Sequence, residues 1–319
     1  MQPPVIALVG ATASGKSAQA IALAQALGTI GQAAEIINAD SMLVYRGMDI
    51  GTAKPSLAER AGVRHHLIDI MELDQAASVA DFQRLARAAV ADCRVRGVWP
   101  IVVGGSALYQ HAILDHFDFP KTDPALRAQL QLEADRLGGL ALYQRLVDLA
   151  PAVAAKIDPA NARRIIRALE AVSLGESFKP QLPNWQYAID GVIQLGLAID
   201  RPTMDERIAK RVGQMMTDGL VEEVERLVSR GLRRAPTASR AIGYAQILAH
   251  LDGELSLDAA IEAICAKTRQ FSRKQLSWWR RDQRIIWLDH RSSPDQLLAT
   301  VNALLEGQFV PPGHPELLA

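Results

Sequence analysis

The chain has 319 residues, with 35 Lys plus Arg against 35 Asp plus Glu, 49% hydrophobic residues and 22% charged ones. At roughly 150 residues per unit the length suggests about two structural units, and the composition excludes intrinsic disorder and low-complexity fibre. Cys93 and Cys265 are the only cysteines and form no CxxC pattern, which excludes a disulfide framework and a Cys-rich zinc site and fits a reducing compartment.

The opening MQPPVIALVG has no basic n-region or long apolar h-region, and no run approaches the roughly 18 apolar residues of a membrane span. The expectation is a cytoplasmic protein without a membrane segment. In chain order, Val5 to Val9 is an apolar run ending at Gly10, followed by a helical pattern to Leu27 and Gly28. Ala34 to Ala39 predicts a second strand ending at Asp40. Ser78 predicts the cap of a helix running to Gly97, and Ile101 to Val103 a strand ending at Gly104 and Gly105.

From His116 the pattern changes. FDFPKTDP reads as loop, and helices follow near Pro124 to Leu137, Leu140 to Leu149 and Ala162 to Leu174 with no strand between them. After the Pro-containing stretch Lys179 to Asn184, Val192 to Ile199 restores a strand. Long helices are then expected from about Thr203 to Arg230 and from Leu257 to Arg284, with a last strand at Ile285 to Leu288. Alternating apolar strands and amphipathic helices predict an α/β fold: a P-loop-containing parallel sheet wound with helices on both faces, ligands sitting at the strand carboxyl ends. The domain reading is a discontinuous core, 1–117 and 188–310, an inserted all-helical lobe, 118–187, and a disordered tail, 311–319.

Charge is segregated beneath the zero balance. Residues 1–150 carry 13 basic and 15 acidic side chains, whereas residues 263–284 carry seven basic ones and only Asp282. Lys267, Arg269, Arg273, Lys274, Arg280, Arg281 and Arg284 stand near Trp278 and Trp279, and Arg163, Arg164 and Arg167 crowd one turn of the lobe. Basic side chains with nearby aromatics suit a nucleic-acid backbone with exposed bases; a solvated helix face, with both Trp in the core, is the plain alternative.

Gly10-Ala11-Thr12-Ala13-Ser14-Gly15-Lys16-Ser17 matches G-x-x-x-x-G-K-[ST] between a strand and a helix. Backbone N–H groups of such a turn, with the helix N-terminus, hold a diphosphate; Lys16 would neutralise its oxygens and Ser17 would offer a hydroxyl to Mg²⁺. NTPases of this type also use an Asp ending a second apolar strand, but here that place holds Gly104-Gly105-Ser106. The missing carboxylate argues against a motor or switch ATPase. It leaves open a small-molecule kinase, an enzyme that uses the loop for a diphosphate leaving group, or a non-catalytic RNA-binding protein that senses a nucleotide.

Asp40 faces the loop across the sheet top, either as a base for an attacking nucleophile or as a cap on the segment after it. Ser106 is either a donor to the leaving diphosphate or a helix cap. Arg207 and Arg211, at i and i+4, share a helix face and either clamp a diphosphate or are exposed charge. His65 and His66 have no adjacent ligand set in the sequence, so packing is expected rather than metal.

GATASGKS at 10–17, INADSMLVYRGMDIGTAKP at 37–55, HHLIDI at 65–70, VGGSALY at 103–109, ARRIIRALE at 162–170, RPTMDERIAKRV at 201–212, AIGYAQIL at 241–248 and TRQFSRKQLSWWRRD at 268–282 occur in one order. Together they resemble the tRNA dimethylallyltransferase, or tRNA isopentenyltransferase, family over roughly residues 5 to 289. The resemblance implies transfer of a dimethylallyl group from dimethylallyl diphosphate to the exocyclic amine of the adenine 3′ of the anticodon, in tRNAs reading codons that begin with U, with Mg²⁺ as cofactor. It implies Asp40 as general base or orienter, Gly10 to Ser17 as the diphosphate loop, and Ser106 beside the leaving group with Lys16. It further implies Arg211 in catalysis, and Ser41, Met42 and Leu43 against the target base. Arg163, Arg164, Ile165, Ile166 and Arg167 match the tRNA-contacting stretch of the lobe, and Arg273, Lys274, Arg280 and Arg281 belong to the basic surface expected on tRNA. The partners so implied are tRNA, through its anticodon stem-loop, and dimethylallyl diphosphate, bound by a monomer. Two departures stand out: the family usually has Pro where Ala11 stands and Thr where Ser106 stands, and serine keeps the hydroxyl with a less constrained rotamer.

Overall fold

A computed structural model describes residues 2–178 and 185–308. The tail 311–319 and the stretch Lys179 to Asn184 therefore lie outside the described residues. The chain divides into two compact units, Met1–Asp115 with Tyr187–Ala319, and His116–Gln186.

The larger unit is built on a six-stranded sheet in the order β3-β2-β4-β1-β5-β6, with every pairing parallel. The strands are β1 (Val5–Gly10), β2 (Ala34–Asn38), β3 (His65–His66), β4 (Trp99–Gly104), β5 (Val192–Ala198) and β6 (Ile286–Asp289). β1 and β4 are buried at every position, as expected for central strands covered on both faces. The pleat sends Val5, Ala7 and Val9 into one core and Ile6 and Leu8 into the other. The second core packs beneath α1 (Lys16–Thr29) and, through Leu297 and Val301, α12 (Pro294–Leu305). The first takes α2 (Val79–Val95) and α3 (Ala107–Leu114), together with α8 (Arg201–Thr217), α9 (Leu220–Ser229), α10 (Tyr244–Leu251) and α11 (Leu257–Trp279).

The smaller unit contains α4 (Pro124–Leu137), α5 (Gly139–Leu149), α6 (Pro151–Ala154) and α7 (Ala162–Ser173) around its own core of Leu130, Leu142, Leu146, Ile165 and Leu169. Inside that core Glu170 is fully buried. It accepts from Arg127, Arg167 and the Asp123 N–H, so its charge is paired on every side.

The structure differs from the sequence reading in three respects. The helix expected from Thr203 to Arg230 is two helices, because Gly219 adopts φ 93 and opens α9 with a new turn. The helix expected to reach Arg284 stops at Trp279, so Arg280 is its C-cap and Arg281 and Arg284 lie past it. The short helices α3, α6, α10 and α12 and the two-residue β3 went unread. No helix among the described residues is long and apolar enough to cross a membrane.

Candidate active site

Strands β2, β4 and β1 are neighbours, and their carboxyl ends bring Asp40, Ser106 and the 10–17 loop to one edge of the sheet. The loop runs straight into α1, so the helix N-terminus points its unpaired N–H groups at the space above. Ala13 holds φ 68, a strained value for a residue with a Cβ. Ser14 is fully buried and its hydroxyl has no partner among the described residues, whereas Ser17 is exposed on the first helical turn.

Lys16 reaches back toward the Ala11 carbonyl at 3.4 Å. Burial pushes its ammonium down to about 8, the Asp40 carboxylate pulls it back up and Arg211 opposes it further. Burial also lowers Arg211, with Asp40 again acting the other way. The three charges thus share one poorly solvated place, where they interact strongly.

Asp40 is held by its neighbours. Buried Asn38 accepts the Asp40 N–H at 2.8 Å and donates to the carbonyls of Asp40 and Leu67, each at 3.0 Å. One carboxylate oxygen, Oδ1, accepts the Met42 N–H at 2.9 Å; Oδ2 has no hydrogen bond among the described residues. One oxygen thus ties the turn, as the capping reading expects. Ser41, Met42 and Leu43 are partly exposed beside it. Ser106 is the N-cap of α3, but its side chain makes no capping bond.

The Arg207 and Arg211 pair turns inward rather than to solvent. Arg207 Nη1 lies 3.4 Å from the Ala13 carbonyl and Arg211 Nη2 lies 3.5 Å from that of Thr52. The segment carrying Thr52 is fixed from two directions. Glu223 accepts the N–H groups of Asp49, Ile50 and Gly51, and Lys54 donates to Asp49, Asp69 and the Tyr45 carbonyl. A cavity of about 540 Å³ opens between this segment and α8, lined by Lys54, Arg60, Asp69, Arg211 and Gln214 among others.

The basic cluster of residues 263–284 is thinner than its count. Arg269 faces Asp205 at 3.8 Å, and Arg284 is tied to Asp115 and Asp282 and lies 4.0 Å over the Tyr187 ring. Lys267, Arg273, Lys274, Arg280 and Arg281 are exposed and have no ion pair among the described residues. Trp279 is fully buried, so it is core; Trp278 is partly exposed.

In the lobe, Arg163 and Arg164 are exposed, but the other members of that stretch are committed elsewhere. Ile165 and Ile166 are 0% and 4% exposed, so their side chains serve the lobe's core. Arg167 is bound to Glu170 and to the carbonyls of Pro120 and Lys121.

His66, without partners adjacent in the sequence, meets two across the fold: its Nε2 lies 2.6 Å from Glu35 Oε2, and Cys93 Sγ lies 3.4 Å from the same oxygen. Arg96 covers that carboxylate with two bonds and holds it down at about 2, while burial pushes the Cys93 thiol up to about 12. A carboxylate surrounded by donors, beside a protonated thiol and a guanidinium, is an internal ion pair rather than a cation site. His65 Nδ1 is spent on the Val63 carbonyl at 2.8 Å.

Sequence reasoning missed Glu223, and it quoted Asn38 and Gln275 inside motifs without seeing what they hold: the Gln275 side-chain amide joins the 10–17 loop to the turn after β4. It quoted Lys54, Asp69 and Tyr244 inside motifs without seeing that they fix the 49–54 segment.

Residues 43–282 match the family model described as IPP transferase. The chain belongs to the IPP transferase family. It is 49% identical over 307 residues to the tRNA dimethylallyltransferase of Nocardioides sp., covering 95% of this chain and 97% of that one. It is 51% identical to the tRNA dimethylallyltransferase of Thermobifida fusca, covering 91% of each. Among solved structures, the full-length tRNA isopentenylpyrophosphate transferase of Bacillus halodurans is similar with a TM-score of 0.69 and 35% identity, over 96% of both chains.

Proposed function

We propose that the protein transfers a dimethylallyl group from dimethylallyl diphosphate to the exocyclic amine of the adenine 3′-adjacent to the anticodon, in tRNAs reading codons that begin with U. The chain is a prenyltransferase acting on tRNA, as its family and its relatives indicate. The observation that carries the finer reading is the Asp40 carboxylate set against Lys16 and Arg211 at the sheet edge, with no acid at the end of β4.

The adenine has to leave its stack to reach such a place. Its amine nitrogen forms a bond to the prenyl C1 as the C1–O bond breaks, and the electron pair of that bond leaves with the diphosphate. Asp40 Oδ2 orients the amine and takes its proton. Lys16, the loop N–H groups, Arg207 and Arg211 meet the charge growing on the diphosphate, and the Ser106 hydroxyl donates to it.

The oxygen donors here suit a hard cation that keeps most of its ligands from water and phosphate. Mg²⁺ would be held by the Ser17 hydroxyl and the diphosphate, and would supply charge neutralisation on the leaving group.

Purified protein, labelled dimethylallyl diphosphate, Mg²⁺ and tRNA lacking the modification test the proposal. Label should enter the RNA and appear as N6-dimethylallyladenosine on digestion. Transfer of phosphate from ATP to a small molecule, with no RNA labelling, would replace this reading with a kinase.

A further inference from the structure

Gln275 is a polar side chain 4% exposed, on the inner face of α11 beside Ser272, Leu276 and Trp279. Its Oε1 accepts the Thr12 N–H at 2.8 Å, and its Nε2 donates to the Gly105 carbonyl at 2.9 Å. The two bonds fix the amide's orientation, because the reversed amide would set N–H against N–H and oxygen against oxygen. They also fit the sequence just after β4: a Cβ on Gly105 would overlap Gln275 Nε2, so the glycine admits the side chain. Thr12 belongs to the phosphate loop. Gly105 precedes Ser106, and a Cβ built on it would lie 3.4 Å from Lys16 Nζ. One side chain thereby spans the two walls between which a diphosphate is held.

The same helix carries that bridge to the surface. Positions 271, 274 and 278 share a face at helical spacing, beside buried Gln275; Phe271 is 39% exposed, Lys274 is exposed and Trp278 is partly so. A nucleic acid resting on the exposed part of α11 would press on the element that holds the phosphate loop.

We infer that Gln275 is a positioning residue for the diphosphate, setting the spacing between the Thr12 side of the loop and the Gly105-Ser106 turn from the helix that presents the basic surface. The inference rests on the diphosphate reading of the loop. It goes further in giving α11 a part in the phosphate site as well as at the RNA.

Binding of inorganic pyrophosphate, followed by calorimetry without RNA, separates this role from RNA contact and from general stability. Gln275→Leu should weaken pyrophosphate about tenfold and raise the KM for dimethylallyl diphosphate similarly, with kcat lowered less and tRNA affinity within about twofold of wild type. Gln275→Glu supplies a sharper readout. Ionised, it cannot donate to Gly105 and repels the ligand; protonated, it offers one donor and one acceptor as glutamine does. Its pyrophosphate affinity relative to wild type should therefore recover as pH falls from 8 to 6, and Gln275→Leu should show no such recovery.

Unchanged pyrophosphate affinity in both variants overturns the inference, as does a loss confined to tRNA binding, which would make Gln275 an RNA contact. Loss of pyrophosphate affinity in Gln275→Glu that ignores pH, accompanied by a lowered melting temperature, overturns it in favour of simple packing. Wild-type protein that fails to bind pyrophosphate overturns the diphosphate reading on which it stands.

Discussion

The Tyr244 hydroxyl donates to Glu223 Oε1 at 2.6 Å, and Glu223 in turn accepts three backbone N–H groups of the 49–51 turn. Both side chains are buried, and burial together with the adjacent carboxylate pushes the phenol well above its ordinary range. Tyr244→Phe leaves Glu223 with its backbone partners and should cost about 1–2 kcal/mol in urea unfolding. Glu223→Ala strands three donors at once and should cost about 3–5 kcal/mol. Equal losses for the two would mean that the turn is held by something else.

Asp40→Asn keeps an oxygen for the Met42 N–H, so the turn should survive while the proton acceptor is lost. Turnover should fall by about 10²–10⁴, with tRNA affinity close to wild type in a gel-shift titration. A variant that turns over normally but binds tRNA weakly would move Asp40 from chemistry to recognition.

Lys16 sits at about 8 in the free protein, lowered mainly by burial. Its charged form predominates below that pH and is lost as pH rises through it, so the affinity for pyrophosphate should decline above about pH 8. A bound anion favours the ammonium, so binding above pH 8 should take up a proton, visible by calorimetry in buffers of different ionisation enthalpy. Lys16→Met should remove that part of the uptake, leaving only the ligand's own.

Arg280 and Arg281 are exposed just past the end of α11, without ion pairs among the described residues. If both touch phosphate, replacing them with Ala should lower the slope of log affinity for tRNA against log salt by about 1–2. The same replacement should leave pyrophosphate binding unchanged. An unaltered slope would make them solvated surface.

Local chemistry was the legible part. The 10–17 loop declares itself because eight consecutive residues carry the motif, after the unbroken apolar run of β1 and at the start of α1. Asp40 was legible for the same reason: it follows a strand whose end is the sheet edge. What could not be read were partners set by the fold. Gln275 meets residues 170 and 263 positions away, and His66 meets Glu35 and Cys93 on two other elements. That the side chains of Ile165 and Ile166 turn into the lobe's core was not legible either, because a motif does not say which face each residue turns. Gly219 was visible, but a glycine in an amphipathic stretch does not announce φ 93 until the turn forms.

The strand order also bears on how the chain comes off the ribosome. β1 is paired on one side by β4 and on the other by β5, which lies beyond the whole helical lobe. From the synthesis of Gly104 to that of Ala198, the strand reading VIALVG therefore presents an open apolar edge, the kind of edge that recruits foreign strands. At about 5–20 residues per second the exposure lasts roughly 5–20 s. The lobe has its own core and can fold during that wait. Nascent chains stalled just before Val192 should therefore be the aggregation-prone and chaperone-bound species, and those stalled well past Asp289 should not.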